Sequence, residues 1–283
     1  MTSYFLFYFK KAICLIVQLA LALSFFYYSS SAAIITFLLI TFICLFYYYF
    51  YSKNSVIKNF KSHLVQGQDY FMLTHKIIKI SKTLDIKPPK IYISDVNFFL
   101  LATYSVSKNN TQIFISNKLL NSSTNSLLEA YLLLSLSQIK TKSSHKSSFA
   151  YFITSIFLYI TSKLDFVFSL IFGIHADLKY IYRSPFSSLM SVILYSFNFL
   201  FLTENTIKKS DKMSSINCSS YIIEKALWNL KHYSINTKYP LTLSSSILCV
   251  LNPLKKNNWF KYLNYQDKAT ARILNINGNY PIF

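Results

Sequence analysis

Two runs near the N-terminus limit what this chain can fold into. Residues 12–28, "AICLIVQLALALSFFYY", and 33–51, "AIITFLLITFICLFYYYFY", are apolar and free of charged side chains. A helix rises about 1.5 Å per residue, and each run reads as long enough to span a hydrocarbon core of about 30 Å. The "SSSA" between them reads as the turn of a helical hairpin. A second run following at once, with no small-x-small cleavage pattern, favours a retained span over a cleaved signal peptide. Two further apolar regions, 149–174 and 185–202, bring the expectation to four membrane spans. The third is interrupted by Lys163 and Asp165, an i, i+2 pair that does not share a helix face and reads as interfacial. Composition agrees, since 53% hydrophobic residues against 14% charged is too apolar for an ordinary soluble domain.

Charge sets the expected orientation. The formal net charge is +19, but the lysines sit between the apolar runs: Lys10 and Lys11 precede the first, and thirteen lie in 52–147. The positive-inside rule then puts both termini and both large polar regions in the cytoplasm, as in a multi-pass protein of the inner (cytoplasmic) membrane. The basic excess calls for the anionic inner surface of the bilayer as partner and requires no nucleic acid. Arg183 and Arg272 are the only arginines, and there are three glycines, while Lys, Asn, Ile, Phe and Tyr abound. We read this as drift toward AT-rich codons, which lowers the functional weight of any single Lys or Asn. Cys14, Cys44, Cys218 and Cys249 form no C-x-x-C pair and read as small apolar side chains.

Between the second and third runs the pattern changes. "DYFMLTHKIIKISKTLDI" (69–86) has helical apolar spacing, and the prolines of "IKPPKIYIS" stop it before a strand. "FFLLATYSV" (98–106) and "TQIFIS" (111–116), joined by the turn "SKNN", predict a small antiparallel sheet. Ser126 and Glu129 form a capping box, predicting a buried helix from Ser126 through Ile139.

In this order the pieces resemble the HtpX-like membrane zinc metalloproteases, relatives of the CAAX prenyl proteases. That family runs from two spans through a helix and a "PPKIYI"-like strand to a helix reading E-A-x-x-x-H-E-x-x-H. Here the counterparts are "IKPPKIYIS", "IFISNKLLN" (113–121) and "LLEAYLLLSLSQIK" (127–140). Laying Glu129-Ala130 on E-A puts Leu134 at the first histidine, Ser135 at the catalytic glutamate and Gln138 at the second histidine. The family's R-E-x-x-A-D falls on "TIKKSD" (206–211), which keeps Asp211 and puts Ile207 at the third zinc ligand. Its C-terminal N-P turn and H-P-P-T-E-E-R-I-x-R-L are echoed by "LNPL" (251–254) and "LNYQDKATARIL" (263–274), with Leu263 at the histidine.

H-E-x-x-H works because i and i+4 share a helix face, so two imidazoles grip zinc while the glutamate polarises its water. Leucine and isoleucine offer no lone pair, glutamine is a poor ligand, and serine is no carboxylate base. The resemblance therefore implies a pseudoprotease without catalytic residues, metal ligands or cofactor, the ancestral zinc being lost. His63, His75, His145, His175 and His232 rebuild no i, i+3 or i, i+4 pair. Glu204 reads as a helix-end acid, and Ser135 or Ser137 with Lys140 lacks a glycine-rich oxyanion turn.

The expectation is thus an α-helical membrane protein with an α+β zincin-like cytoplasmic domain: four transmembrane helices plus a small antiparallel sheet. Its regions are an N-terminal hairpin (1–52), a zincin-like part (53–147), a second transmembrane pair (148–203) and a C-terminal helical part completing the zincin-like domain (204–283). In zincins an extended substrate pairs with the sheet edge, which assigns Gln112 and Phe114 to a peptide-binding edge strand. The implied partners are membrane polypeptides or an active protease relative, with a binding or regulatory role. Two alternatives stand beside this reading: an active zinc metalloendopeptidase of membrane protein quality control whose site is aligned differently, and an unrelated structural membrane protein.

Overall fold

The computed structural model describes residues 52–65, 70–172, 204–235, 243–251 and 269–276, with isolated helical positions at 39, 43 and 46–48. The chain divides into two units, Met1–Lys53 and Asn54–Phe283, and the second holds everything that follows.

Helix α1 (Phe71–Thr83) buries Leu73, Ile77 and Ile80, one stripe at spacings of three and four. It ends where Asp85 enters the left-handed region at φ 51. There Asp85 N–H donates to Lys82 O at 3.1 Å and Ile86 N–H to Ser81 O at 3.0 Å, a Schellman turn that satisfies the last carbonyls. Pro88 and Pro89 then bar any return to helix.

Strands β1 (Ser62–Leu64), β2 (Lys90–Ser94), β3 (Leu101–Ser107) and β4 (Asn110–Ser116) form one sheet in the order β1-β2-β4-β3. The expected antiparallel sheet is corrected to a mixed one, because β2 runs parallel to β4, pairing Lys90 with Gln112 through Ser94 with Ser116. Its two faces are divided by the period of two. Ile91, Ile93, Leu101, Ile113 and Ile115 join the core with α1, whereas Tyr92, Ala102, Tyr104 and Phe114 join Val56, Phe60, Tyr151 and Leu248 on the other side. Phe114 is the hub of that second core, with ring centroids 5.2 Å from Phe60 and 5.1 Å from Tyr92. Burial on both faces explains why these strands read as nearly continuous apolar runs.

Helix α2 (Asn117–Ser122) follows β4 directly, and the Ser116 hydroxyl caps it by accepting from Leu119 N–H. Helix α3 (Asn125–Lys140) is capped by Thr124 rather than by Ser126, with the Thr124 hydroxyl accepting from Leu127 N–H. It buries Leu127 and every residue from Ala130 to Ile139. Helices α5 (Glu204–Asn217) and α6 (Ser220–Ile235) pack on it and α8 (Ala269–Ile276) packs on those two, with the short α7 (Leu243–Ser246) just before the segment that meets β3, so the C-terminal part and α3 belong to one core.

The four-span, multi-pass inner-membrane architecture is corrected by helix α4 (Ser143–Phe172). Among the described residues no helix is long and apolar enough to cross a membrane. The expected third span is part of α4, whose opening "SSHKSS" is bound up with the protein: Ser143, Ser144, Ser147 and Ser148 are buried, and α4 packs on β3, α3 and α7. From Phe149 to Ser162, before Lys163 and Asp165, there are only 14 residues. That is about 21 Å of helix against a hydrocarbon thickness of about 30 Å. Asp165 is not an interfacial residue either, since it is 2% exposed. The spans expected at 12–28 and 185–202, and most of 33–51, lie outside the described residues.

Candidate functional site

The three motif positions on α3 line up as a sealed face. Leu134 and Ser135 are fully buried and Gln138 nearly so. Ser135 Oγ donates to Tyr131 O at 3.0 Å, so its hydroxyl is spent on its own helix. Gln138 Oε1 accepts from Thr103 Oγ1 at 3.0 Å, fastening α3 to β3. Its backbone oxygen accepts from Ser143 Oγ at 3.2 Å, which holds the turn into α4. Ile207 is 3% exposed on α5, and α5 packs against α3. Where a zinc site would need ligands, this arrangement supplies aliphatic packing and one amide already committed to the sheet. Among the described residues no three of His, Cys, Asp or Glu come together.

Gln112 and Phe114 do not form an edge. Strand β4 lies between β2 and β3, its main-chain groups pair on both sides, and both side chains are fully buried. A strand four or more residues long with apolar character reads the same at an edge and at the centre, so the pattern alone could not place it. The edge on this side is β3, and the chain covers it itself. Thr103 N–H donates to Leu248 O at 3.0 Å and Val250 N–H to Leu101 O at 2.8 Å, an antiparallel bridge centred on Ala102 and Cys249. One step further along, Ser105 N–H donates to Ser148 Oγ at 2.8 Å.

That covering segment is tied down by an ion pair that motif reading did not single out. Arg272, on α8, donates from Nε to Asp211 Oδ2 at 2.8 Å and from Nη2 to Asp211 Oδ1 at 2.7 Å. Its Nη1 donates to Val250 O at 2.6 Å. Both side chains are fully buried. A guanidinium can make this planar two-point contact and still reach a third acceptor, whereas an ammonium cannot. The signal available beforehand was that Arg272 is one of two arginines in a lysine-rich chain.

The remaining candidates are dispersed. His63 Nδ1 lies 3.5 Å from Asp95 Oδ2 at the surface, His75 stacks on Phe71, and His232 meets Tyr233 edge-on. His175 lies outside the described residues. Half-buried His145 has Nε2 3.1 Å from Ser105 Oγ. Burial lowers its pKa, the hydrogen bond with the Val106 backbone opposes this, and the charge of Lys142 adds to it. Ser137 and Lys140 do not act together: Lys140 Nζ donates to Asp85 O at 3.3 Å, while the buried Ser137 hydroxyl has no hydrogen-bond partner among the described residues. Cys249 is buried and its thiol is pushed far up by that burial, so it is inert packing. Glu204 opens α5.

No family model, curated protein or solved structure matches this chain.

Proposed function

We propose that this protein is a non-catalytic descendant of the HtpX-like zinc peptidases, which acts by binding polypeptides or an active peptidase relative rather than by cleaving. The observation that carries this reading is the Asp211–Arg272 pair. Asp211 is the residue retained from R-E-x-x-A-D. Laying the C-terminal pattern with Leu263 on its histidine puts Arg272 on the second arginine of R-I-x-R-L. Two letters retained from motifs 61 residues apart are thus partners in one buried, bidentate contact. Drift has removed the metal ligands and kept the contact that joins α5 to α8.

The packing of α5 on α3 supports the same reading, because it sets the position of the third ligand's replacement, Ile207, on the helix that packs against the one carrying Leu134 and Gln138. The replacements are mutually adapted: aliphatic side chains fill, and the amide of Gln138 has a partner. A buried polar or charged group without one would cost several kcal/mol, on the order of 2–7 for a neutral amide.

The test is metal analysis of the purified chain alongside digestion of an unfolded protein substrate. We expect far less than one zinc per chain, no chelator-sensitive cleavage, and saturable binding of the unfolded substrate. One zinc per chain together with chelator-sensitive cleavage would establish an active metallopeptidase instead. Absence of polypeptide binding would remove the binding role.

A further inference from the structure

A separate concavity of about 450 Å³ opens where three connections meet: the turn after α1, the β3–β4 hairpin turn and the turn from α3 into α4. Four lysines from these three segments line it: Lys87, Lys108, Lys140 and Lys142. The one acid among the lining residues, Asp85, is spread at the surface, its Oδ2 3.8 Å from Lys140 Nζ. Three lysine charges are then left around one recess without a counter-charge from its lining. Gathering like charges costs free energy that a bound anion offsets. Its volume falls in the range of about 300–1,000 Å³ usual for small-molecule pockets.

The inner wall of the recess includes a histidine. His145 lines the recess and is half-buried, with Nε2 3.1 Å from Ser105 Oγ. The lysine ammonium groups are donors, the kind of lining that suits oxygen-rich anions, while the His145 ring is held by Ser105 and the Val106 backbone and forms part of the wall. The charged groups that line the recess together with His145 are the four lysines and Asp85, and the charge acting on the ring is that of Lys142.

We propose that this cleft binds a small phosphate-rich anion, a di- or triphosphate compound free in solution. The site is distinct from the motif positions Leu134, Ser135 and Gln138, and the proposal stands independently of the peptidase ancestry. The concave shape favours a free compound over a lipid headgroup in a flat bilayer surface.

Calorimetric titration of inorganic triphosphate into the full chain, at about 0.15 M salt to suppress diffuse attraction, tests it. We expect saturable binding of one anion per chain. Lys108→Ala with Lys142→Ala should weaken it at least about tenfold. Lys118→Ala with Lys225→Ala removes the same charge from α2, at the other end of β4, and from α6, and should change it by less than about twofold. No saturable binding, or equal weakening by the two double variants, would mean that the lysines are an ordinary solvated basic surface and would overturn the proposal. Binding to anionic phospholipid vesicles that triphosphate does not compete away would overturn it as well.

Discussion

Arg272 is one of two arginines in the chain, and it sits fully buried across Asp211 and Val250 O. The bias toward lysine makes an arginine here informative, because lysine would satisfy only part of the same set of acceptors. Arg272→Lys should destabilise the protein by about 2–3 kcal/mol, the loss of charge-assisted hydrogen bonds, and Arg272→Ala by about 3–5 kcal/mol, since it leaves the Asp211 carboxylate buried alone. Chemical denaturation reads both, and a loss under about 0.5 kcal/mol for Arg272→Ala would mean that the pair is not a support of the fold. Lys142 raises a smaller question at the same scale, being held at φ 61 in the turn that closes α3. A β-carbon is disfavoured there, so Lys142→Gly should stabilise by about 0.5–1 kcal/mol, and Asp85→Gly by less because aspartate tolerates this region better. His145 gives a pH dependence. Burial lowers its folded-state pKa below the unfolded value, so the unfolded chain takes up the proton first. Stability should be steady above about pH 6.5 and fall as the pH drops through the unfolded histidine pKa, and His145→Gln should flatten that slope.

At the scale of elements, the local signals were readable where they depended on neighbours in sequence. The prolines at 88 and 89, the turn between β3 and β4 and the apolar run from Tyr131 to Leu134 all mark features that the fold contains. The expected N-cap falls two positions too late, because Thr124 and Ser126 are both capping residues and only Ser126 has the box spacing to Glu129. Thr124→Ala should therefore cost about 1 kcal/mol in thermal unfolding, while Ser126→Ala, inside the first turn and exposed, should cost a few tenths. The reverse ranking would put the helix start back at Ser126. What was not readable was lateral order. Strand β1 has three residues, too few for a period, and the parallel pairing of β2 with β4 depends on β3 turning to the outside. The self-covering of β3 by 248–250 joins positions about 150 residues apart, which no window along the chain can see.

For the whole molecule, hydropathy misled for a physical reason. The same side chains serve a bilayer span and a helix packed on a protein core, and at the third expected span only length and interruption separate them. Helix α4 fails on both counts, with Lys163 and the buried Asp165 cutting its apolar stretch short and its serine-rich start held against β3. The α3 region was the better guide, because the motif positions could be inspected one by one for what they can donate. They are packing residues, and the proposed peptidase ancestry makes their positions those of a former zinc site. Leu134→His, Ser135→Glu, Gln138→His and Ile207→Glu together would put two imidazoles one turn apart and add a carboxylate from α5, a three-ligand site open to water. Because burying these groups destabilises the apo form, the variant is to be refolded with and without zinc. The decisive measurement is the zinc bound per chain after refolding and removal of free metal. The proposed ancestry predicts close to one for the quadruple variant and close to none for the parent. A parent that retains stoichiometric zinc, or a folded quadruple variant that retains none, would contradict it.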